Sequence, residues 1–110
     1  MADVLGLFEQ AVLLSIAGKG SEEAYGRAIL KEVQRRLERD VAAGAVYATL
    51  DRLEEKGLIS SRLGPGNEVR AGRPRRYYTV EASGIRALNE SKAAVQRLWA
   101  GVRWPLKGTS

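Results

Sequence analysis

Residues 42–63 read A-A-G-A-V-Y-A-T-L-D-R-L-E-E-K-G-L-I-S-S-R-L, and residues 72–80 read G-R-P-R-R-Y-Y-T-V. Val46, Leu50 and Leu53 recur at helical spacing with Asp51, Arg52, Glu54, Glu55 and Lys56 among them, which predicts an amphipathic helix from about Gly44 to Lys56 with one buried side. Gly57 directly after the last periodic residues is the chemistry of a helix C-terminus. Leu58–Leu63 and Arg75–Val80 are two stretches rich in β-formers, separated by Gly64, Pro65, Gly66, Asn67 and Gly72. A helix that feeds a basic hairpin is the winged half of a winged helix-turn-helix. The expected fold class is mainly α with a small β-hairpin, completed by a C-terminal dimerisation helix.

With 110 residues, the chain has room for one domain, and a chain of this size buries only about two-thirds of its unfolded surface, so a partner subunit would help it. Its 45% hydrophobic and 28% charged residues place it among globular proteins. No apolar run of about 20 residues occurs, and Asp3 stands where a signal peptide needs a basic region, so the expected compartment is the cytoplasm, with no membrane partner. Cysteine and histidine are both missing, which removes disulfides, thiol catalysis, the commonest general base and the best metal ligands. No cofactor, metal site or catalytic residue is expected.

The net charge of +5 is concentrated. Between Ser60 and Val80 lie Arg62, Arg70, Arg73, Arg75 and Arg76 against Glu68 alone. Arginines on a hairpin can serve solubility. Five of them without a lysine favour another use, because a guanidinium offers a planar fork to phosphate or guanine and fits a narrow minor groove.

Earlier in the chain, Leu5, Phe8, Val12 and Ile16 form a helical stripe that Leu7, Ala11, Leu13 and Leu14 widen almost all round, and Gly18-Lys19-Gly20 ends it. Ser21 with Glu22 and Glu23 reads as a helix start, the serine capping and the carboxylates facing the positive end of the dipole. Capping outweighs a paired-carboxylate acid site, since nothing nearby could act as nucleophile or ligand. Tyr25, Ile29, Val33 and Leu37 then step by four. Gly26 inside this helix costs about 1 kcal/mol against alanine, which suggests close approach of another backbone, a second helix or a phosphate. The small residues of 42–45 suit a tight inter-helix turn, and equally let the third helix bring its N-terminus against DNA.

Near the C-terminus, Ile85, Leu88, Val95, Trp99 and Val102 make a heptad-like seam interrupted by Lys92, while Ala87, Ser91, Ala94 and Leu98 make a neighbouring stripe. One domain of this size cannot cover both. A helix of roughly 20 residues spans about 30 Å, so this one is expected to project and to pack against its copy. Gly108-Thr109-Ser110 is expected to fray.

Three groups of residues carry a family resemblance: Ala24-Tyr25-Gly26 with Ile29; Gly44-Ala45-Val46-Tyr47 leading into Leu50-x-x-Leu53-Glu54-x-x-Gly57-Leu58-Ile59; and Gly72-Arg73-x-Arg75-Arg76-Tyr77-Tyr78 followed by Gly84. Over nearly the whole chain this resembles the PadR family of bacterial transcription regulators, in its short class with a single C-terminal helix. Two positions depart from the family pattern: Ala48 replaces a common proline, and Glu81 replaces a common capping threonine, so that Thr79 or Ser83 is expected to cap the last helix instead.

The resemblance implies a homodimeric repressor that binds an inverted repeat in double-stranded DNA. Its DNA-facing positions would be Tyr25 and Gly26 at the start of the supporting helix; Ala43, Gly44, Ala45, Tyr47, Ala48, Thr49 and Arg52 on the third helix; and Arg70, Arg73, Arg75 and Arg76 in the wing. Tyr47 either packs beside Leu50 and Leu53 or offers its hydroxyl to a phosphate. Tyr77 and Tyr78 must face opposite sides of the strand, so one of them is expected in the core. Leu5, Phe8 and Val12 of the first helix, with Ile85, Leu88, Val95, Leu98, Trp99 and Val102, would form the dimer interface. Trp99 would either anchor that interface or line a cavity for a small apolar or aromatic effector. The chain then divides into a winged module over 1–81, a dimerisation helix over 82–104 and a tail over 105–110. A winged helix used as a protein-interaction module without DNA is the alternative, because a fold does not dictate a function.

Overall fold

A computed structural model describes residues 4–64 and 74–108. Helices α1 (Leu7–Ala17), α2 (Gly26–Leu37) and α3 (Ala43–Glu55) precede strands β1 (Ile59–Leu63) and β2 (Arg76–Val80), and helix α4 (Ala82–Leu98) closes the chain. The strands pair antiparallel, Ile59 opposite Val80 and Leu63 opposite Arg76. This is the expected mainly helical fold with one hairpin. Arg70 and Arg73, at the far end of the wing, lie outside the described residues.

The stripe that decided the fold is buried as read: Val46, Leu50 and Leu53 have no exposed surface. Around them the core collects Val12, Leu13 and Ile16 from α1, Ile29 and Val33 from α2, Ile59 from β1 and Tyr78 from β2. Lys56 closes α3, and Gly57 reverses the chain with φ at 76°, a conformation that glycine adopts without a Cβ penalty.

Helix α2 begins at Gly26 rather than at Ser21. The reason is tertiary. The Tyr78 N–H donates to the Ala24 carbonyl at 2.8 Å, and Tyr25 forms an isolated antiparallel bridge with Tyr77. Residues 24 and 25 are therefore drawn out alongside β2. The Glu23 carboxylate accepts from the Gly20 N–H at 3.3 Å, closing a turn instead of capping a helix.

Helix α4 also differs at both ends. Glu81 itself is the N-cap residue, with extended backbone and no capping hydrogen bond from its side chain. Its carboxylate accepts instead from the Ser60 hydroxyl at 2.6 Å, and the Ser83 hydroxyl donates to the Gly57 carbonyl at 2.6 Å. The helix stops at Leu98, short of the expected 104, where Gly101 turns the chain with φ at 80°.

Of the two apolar stripes on α4, the one with small residues faces the body up to Ser91, while its last member, Leu98, is exposed: Gly84, Ala87 and Ser91 are buried, and the Leu5 N–H donates to the Ser91 hydroxyl at 2.9 Å. Ile85, Val95, Leu98, Trp99 and Val102 remain exposed, while Leu88 is half-buried against the core. Two of the interface residues expected on the first helix need correction. Val12 is 0% exposed and Leu5 only 7%, both consumed by the chain's own core, so neither has surface to offer a partner. Phe8 is partly buried against the core, and Leu7 and Leu14 carry the exposed apolar surface of α1.

One polar tie joins the first and third helices. Lys56 Nζ lies 3.1 Å from a Glu9 carboxylate oxygen whose partner oxygen accepts from the Gly6 N–H. Burial alone would raise the Glu9 pKa, but the Gly6 N–H and the Lys56 ammonium together hold it below the usual carboxylate value. A depressed carboxylate pKa stabilises the fold above the unfolded value of about 4.3 and loses that contribution as the pH falls through the folded value. Chemical denaturation of the wild type and Glu9→Gln across pH 6 to 3 should therefore show a stability gap at the upper end that closes toward the lower.

Candidate nucleic-acid interface

At the end of the strand pair that leads into the connecting segment, rings and guanidinium groups pack together. Tyr25 and Tyr77 meet edge to face with centroids 5.9 Å apart. The Arg75 guanidinium lies 4.1 Å from the Tyr25 ring centre, and that of Arg62 lies 4.9 Å from the Tyr77 ring. Arg62 also donates to the Ser21 carbonyl at 2.9 Å. Tyr77 and Tyr78 do face opposite sides, and Tyr78 joins the core. The other side differs from the expectation: Tyr77 is just as buried, 7% exposed, because Tyr25 and Arg62 cover it. Burial pushes the Tyr78 hydroxyl pKa up. Arg76 points to solvent and donates to the Ser61 hydroxyl at 2.9 Å.

Gly26 has a specific reason to lack a side chain. A Cβ there would stand 2.5 Å from Tyr47 Cε1 and 3.0 Å from the Tyr47 hydroxyl oxygen. The close approach read from the sequence is real, but the neighbour is a side chain rather than a backbone or a phosphate. Tyr47 accordingly lies outside the core, 43% exposed, and wedges the start of α2 against α3.

Tyr25, Gly26, Arg27, Tyr47, Arg75, Arg76 and Tyr78 line one cleft of about 160 Å³. Arg27 was missed in the sequence. Its signal was a cation in the first turn of a helix that has no acidic residue there, an unfavourable position beside the positive end of the dipole unless an anion is nearby.

Ala42, Ala45, Ala48 and Arg52 lie on the other flank of α3, along a shallow hollow of about 530 Å³ shared with Phe8 and Arg39. The DNA-facing positions that the resemblance implies thus fall on two flanks of α3, with exposed Gly44 and Asp51 between them. Thr49 needs correction: it is 2% exposed, and its hydroxyl accepts from Arg52 Nη2 at 3.2 Å, so it can steady Arg52 but not reach a base. The first turn of α3 contains no acidic side chain, and Ala42 provides no capping bond. Among the described residues no cluster of carboxylates could hold a metal ion, and no helix is long and apolar enough to cross a membrane.

Residues 13–90 match the family model described as the transcriptional regulator PadR-like family. The chain belongs to the PadR family. A transcriptional regulator of Mycobacterium tuberculosis, Rv3488, is 37% identical over 76 residues, which span 69% of this chain and 66% of that protein, just under two-thirds of its length. Among solved structures, a PadR family regulator from Eggerthella lenta is 30% identical with a TM-score of 0.65, over 86% of this chain and 76% of that one. A PadR-like regulator from Bacillus cereus reaches a TM-score of 0.71 at 25% identity, over 94% and 95% of the two chains. PadR proteins are transcriptional regulators, and the fold seen here is their winged helix.

The wedge between Gly26 and Tyr47 is testable. Gly26→Ala should be neutral to destabilising, because moving the exposed Tyr47 ring aside offsets the roughly 1 kcal/mol that alanine gains over glycine in a helix. In Tyr47→Ala the same change should stabilise the fold by up to about 1 kcal/mol, and the difference between the two backgrounds, a coupling of about 0.5–3 kcal/mol, is read in a double-mutant cycle of urea denaturation.

Proposed function

We propose that this PadR-family chain is a homodimeric repressor that binds an inverted repeat in double-stranded DNA. The cleft beside α3 carries this reading: Arg27, Tyr47, Arg75 and Arg76 bring cations and a phenol from two helices and a strand to one place, next to a helix tip without acidic side chains. Phosphates of the duplex suit that cleft. Exposed Arg76 and Arg27 would take them directly, whereas Arg75, stacked on Tyr25, would add charge and stiffness at the root of the wing. Arg70 and Arg73 would extend the contact along the wing. Ala43, Gly44, Ala45 and Ala48 form the small tip that enters the major groove, with Arg52 at its edge.

The exposed seam of Ile85, Val95, Leu98, Trp99 and Val102 supports pairing through α4, with Leu7 and Leu14 as the contribution of α1. In this reading residues 1–81 contact DNA, the chain from 82 to 104 holds the dimer, and 105–110 form a tail. A dimer of this kind covers its operator and represses by excluding other proteins. Trp99, 39% exposed at the C-cap of α4, is the residue for a small apolar or aromatic effector bound between subunits.

Binding to a palindromic operator should weaken with salt, with a log–log slope of about 0.9 for each phosphate neutralised. Arg27→Ala and Arg76→Ala should each weaken binding to all sequences and lower that slope by about 1, whereas Ala45→Ser or Ala48→Ser should change the preferred bases in a binding-site selection. A slope near zero would defeat the proposal. Leu98→Asp should convert the dimer to monomers in sedimentation equilibrium while leaving the circular dichroism of the fold in place.

A further inference from the structure

The start of α4 rests on the end of α3 through backbone. Gly57 turns the chain so that the carbonyls of Gly57 and Leu58 face the incoming helix: Ser83 Oγ donates to the first at 2.6 Å, and the Glu81 N–H donates to the second at 2.9 Å. Ser60 holds the Glu81 carboxylate from the hairpin side at 2.6 Å. Gly84 completes the seat. A Cβ there would overlap the Leu58 carbonyl oxygen and stand 2.7 Å from Val80 Cγ1. A carbonyl fixed in the α3–β1 turn cannot rotate away as a side chain can, so any larger residue must tilt α4 away from the body.

That tilt has leverage. From Gly84 to Leu98 the helix runs about 21 Å, so a change of about 10° at the seat displaces its far end by roughly 3.5 Å, close to the 3.4 Å rise of one base pair. The same seat touches the turn that ends the recognition helix, so nothing flexible separates the lever from the reading head.

We propose that the Ser83–Gly84 seat sets the distance between the two recognition helices and thereby selects the half-site spacing of the operator. The inference rests on the dimeric, DNA-binding reading above. Gly84 and Ser83 are positioning residues: both lie at the α3–α4 joint, away from the cleft beside α3.

The test is a binding selection on duplexes carrying two inverted half-sites whose separation varies one base pair at a time, run beside an isolated half-site. The wild type should prefer one spacing. Gly84→Ala should move that preference by at least one base pair and weaken binding at the original spacing by about tenfold or more, near the low end of what deforming DNA to fit costs, with half-site affinity unchanged. Ser83→Ala removes one bond without adding bulk, so the variant should stay folded and lose discrimination between neighbouring spacings. If the wild type ignores spacing or is monomeric, the dimeric reading fails and this inference with it. If the wild type discriminates and Ser83→Ala keeps the same preferred spacing with the same sharpness, the inference alone is overturned, even where Gly84→Ala does not fold.

Discussion

The burial of Val46, Leu50 and Leu53 is the constraint on which the other elements depend. Each of these side chains is fully enclosed, and burial of a valine or leucine stabilises by about 1.5–3 kcal/mol. Helices α1 and α2 and strand β1 all pack on this stripe. A helix covered from three sides has one direction left for its polar and small residues, which fixes Gly44, Ala48 and Asp51 on the outer face. The core therefore does more than hold the chain together: it sets which face of α3 meets solvent.

The hairpin is anchored by a different kind of packing. Arg75 and Arg62 flank the edge-to-face pair of Tyr25 and Tyr77, so part of the basic charge of the wing is structural as well as electrostatic. A guanidinium over a ring keeps its charge while losing conformational freedom, and a pre-ordered cation binds phosphate at a lower entropic cost than a free one. The stub at Ala24 and Tyr25 is part of the same construction, since its pairing with β2 delays α2 until Gly26 and makes room for Tyr47.

Helix α4 shows how two similar stripes are assigned. Gly84, Ala87 and Ser91 allow close approach and face the body, whereas the larger Ile85, Val95 and Leu98 stay outside. Small residues bring backbones together, and large ones left in water call for a further surface. Ser91 settles the choice chemically by accepting from the Leu5 N–H, a bond that an apolar residue at that position could not supply.

The elements themselves were legible in sequence wherever a period or a glycine marked them. Four-residue steps marked α2, a four-then-three step marked α3, β-rich runs on either side of a glycine-bearing segment marked the hairpin, and Gly57 marked the end of α3. The family motifs were legible too, because they are local strings. What the sequence could not contain was the identity of neighbours far apart in the chain. Ser21 had the chemistry of a cap, but pairing of residue 24 with β2 overrode it; Thr49 sat on the expected face, but it lies enclosed beneath Arg52; Val12 belonged to a stripe that looked available for a partner, but the core used it. Local periodicity determines which residues form a face. Only the packed structure decides what that face meets, because burial depends on contacts between segments that no local pattern specifies.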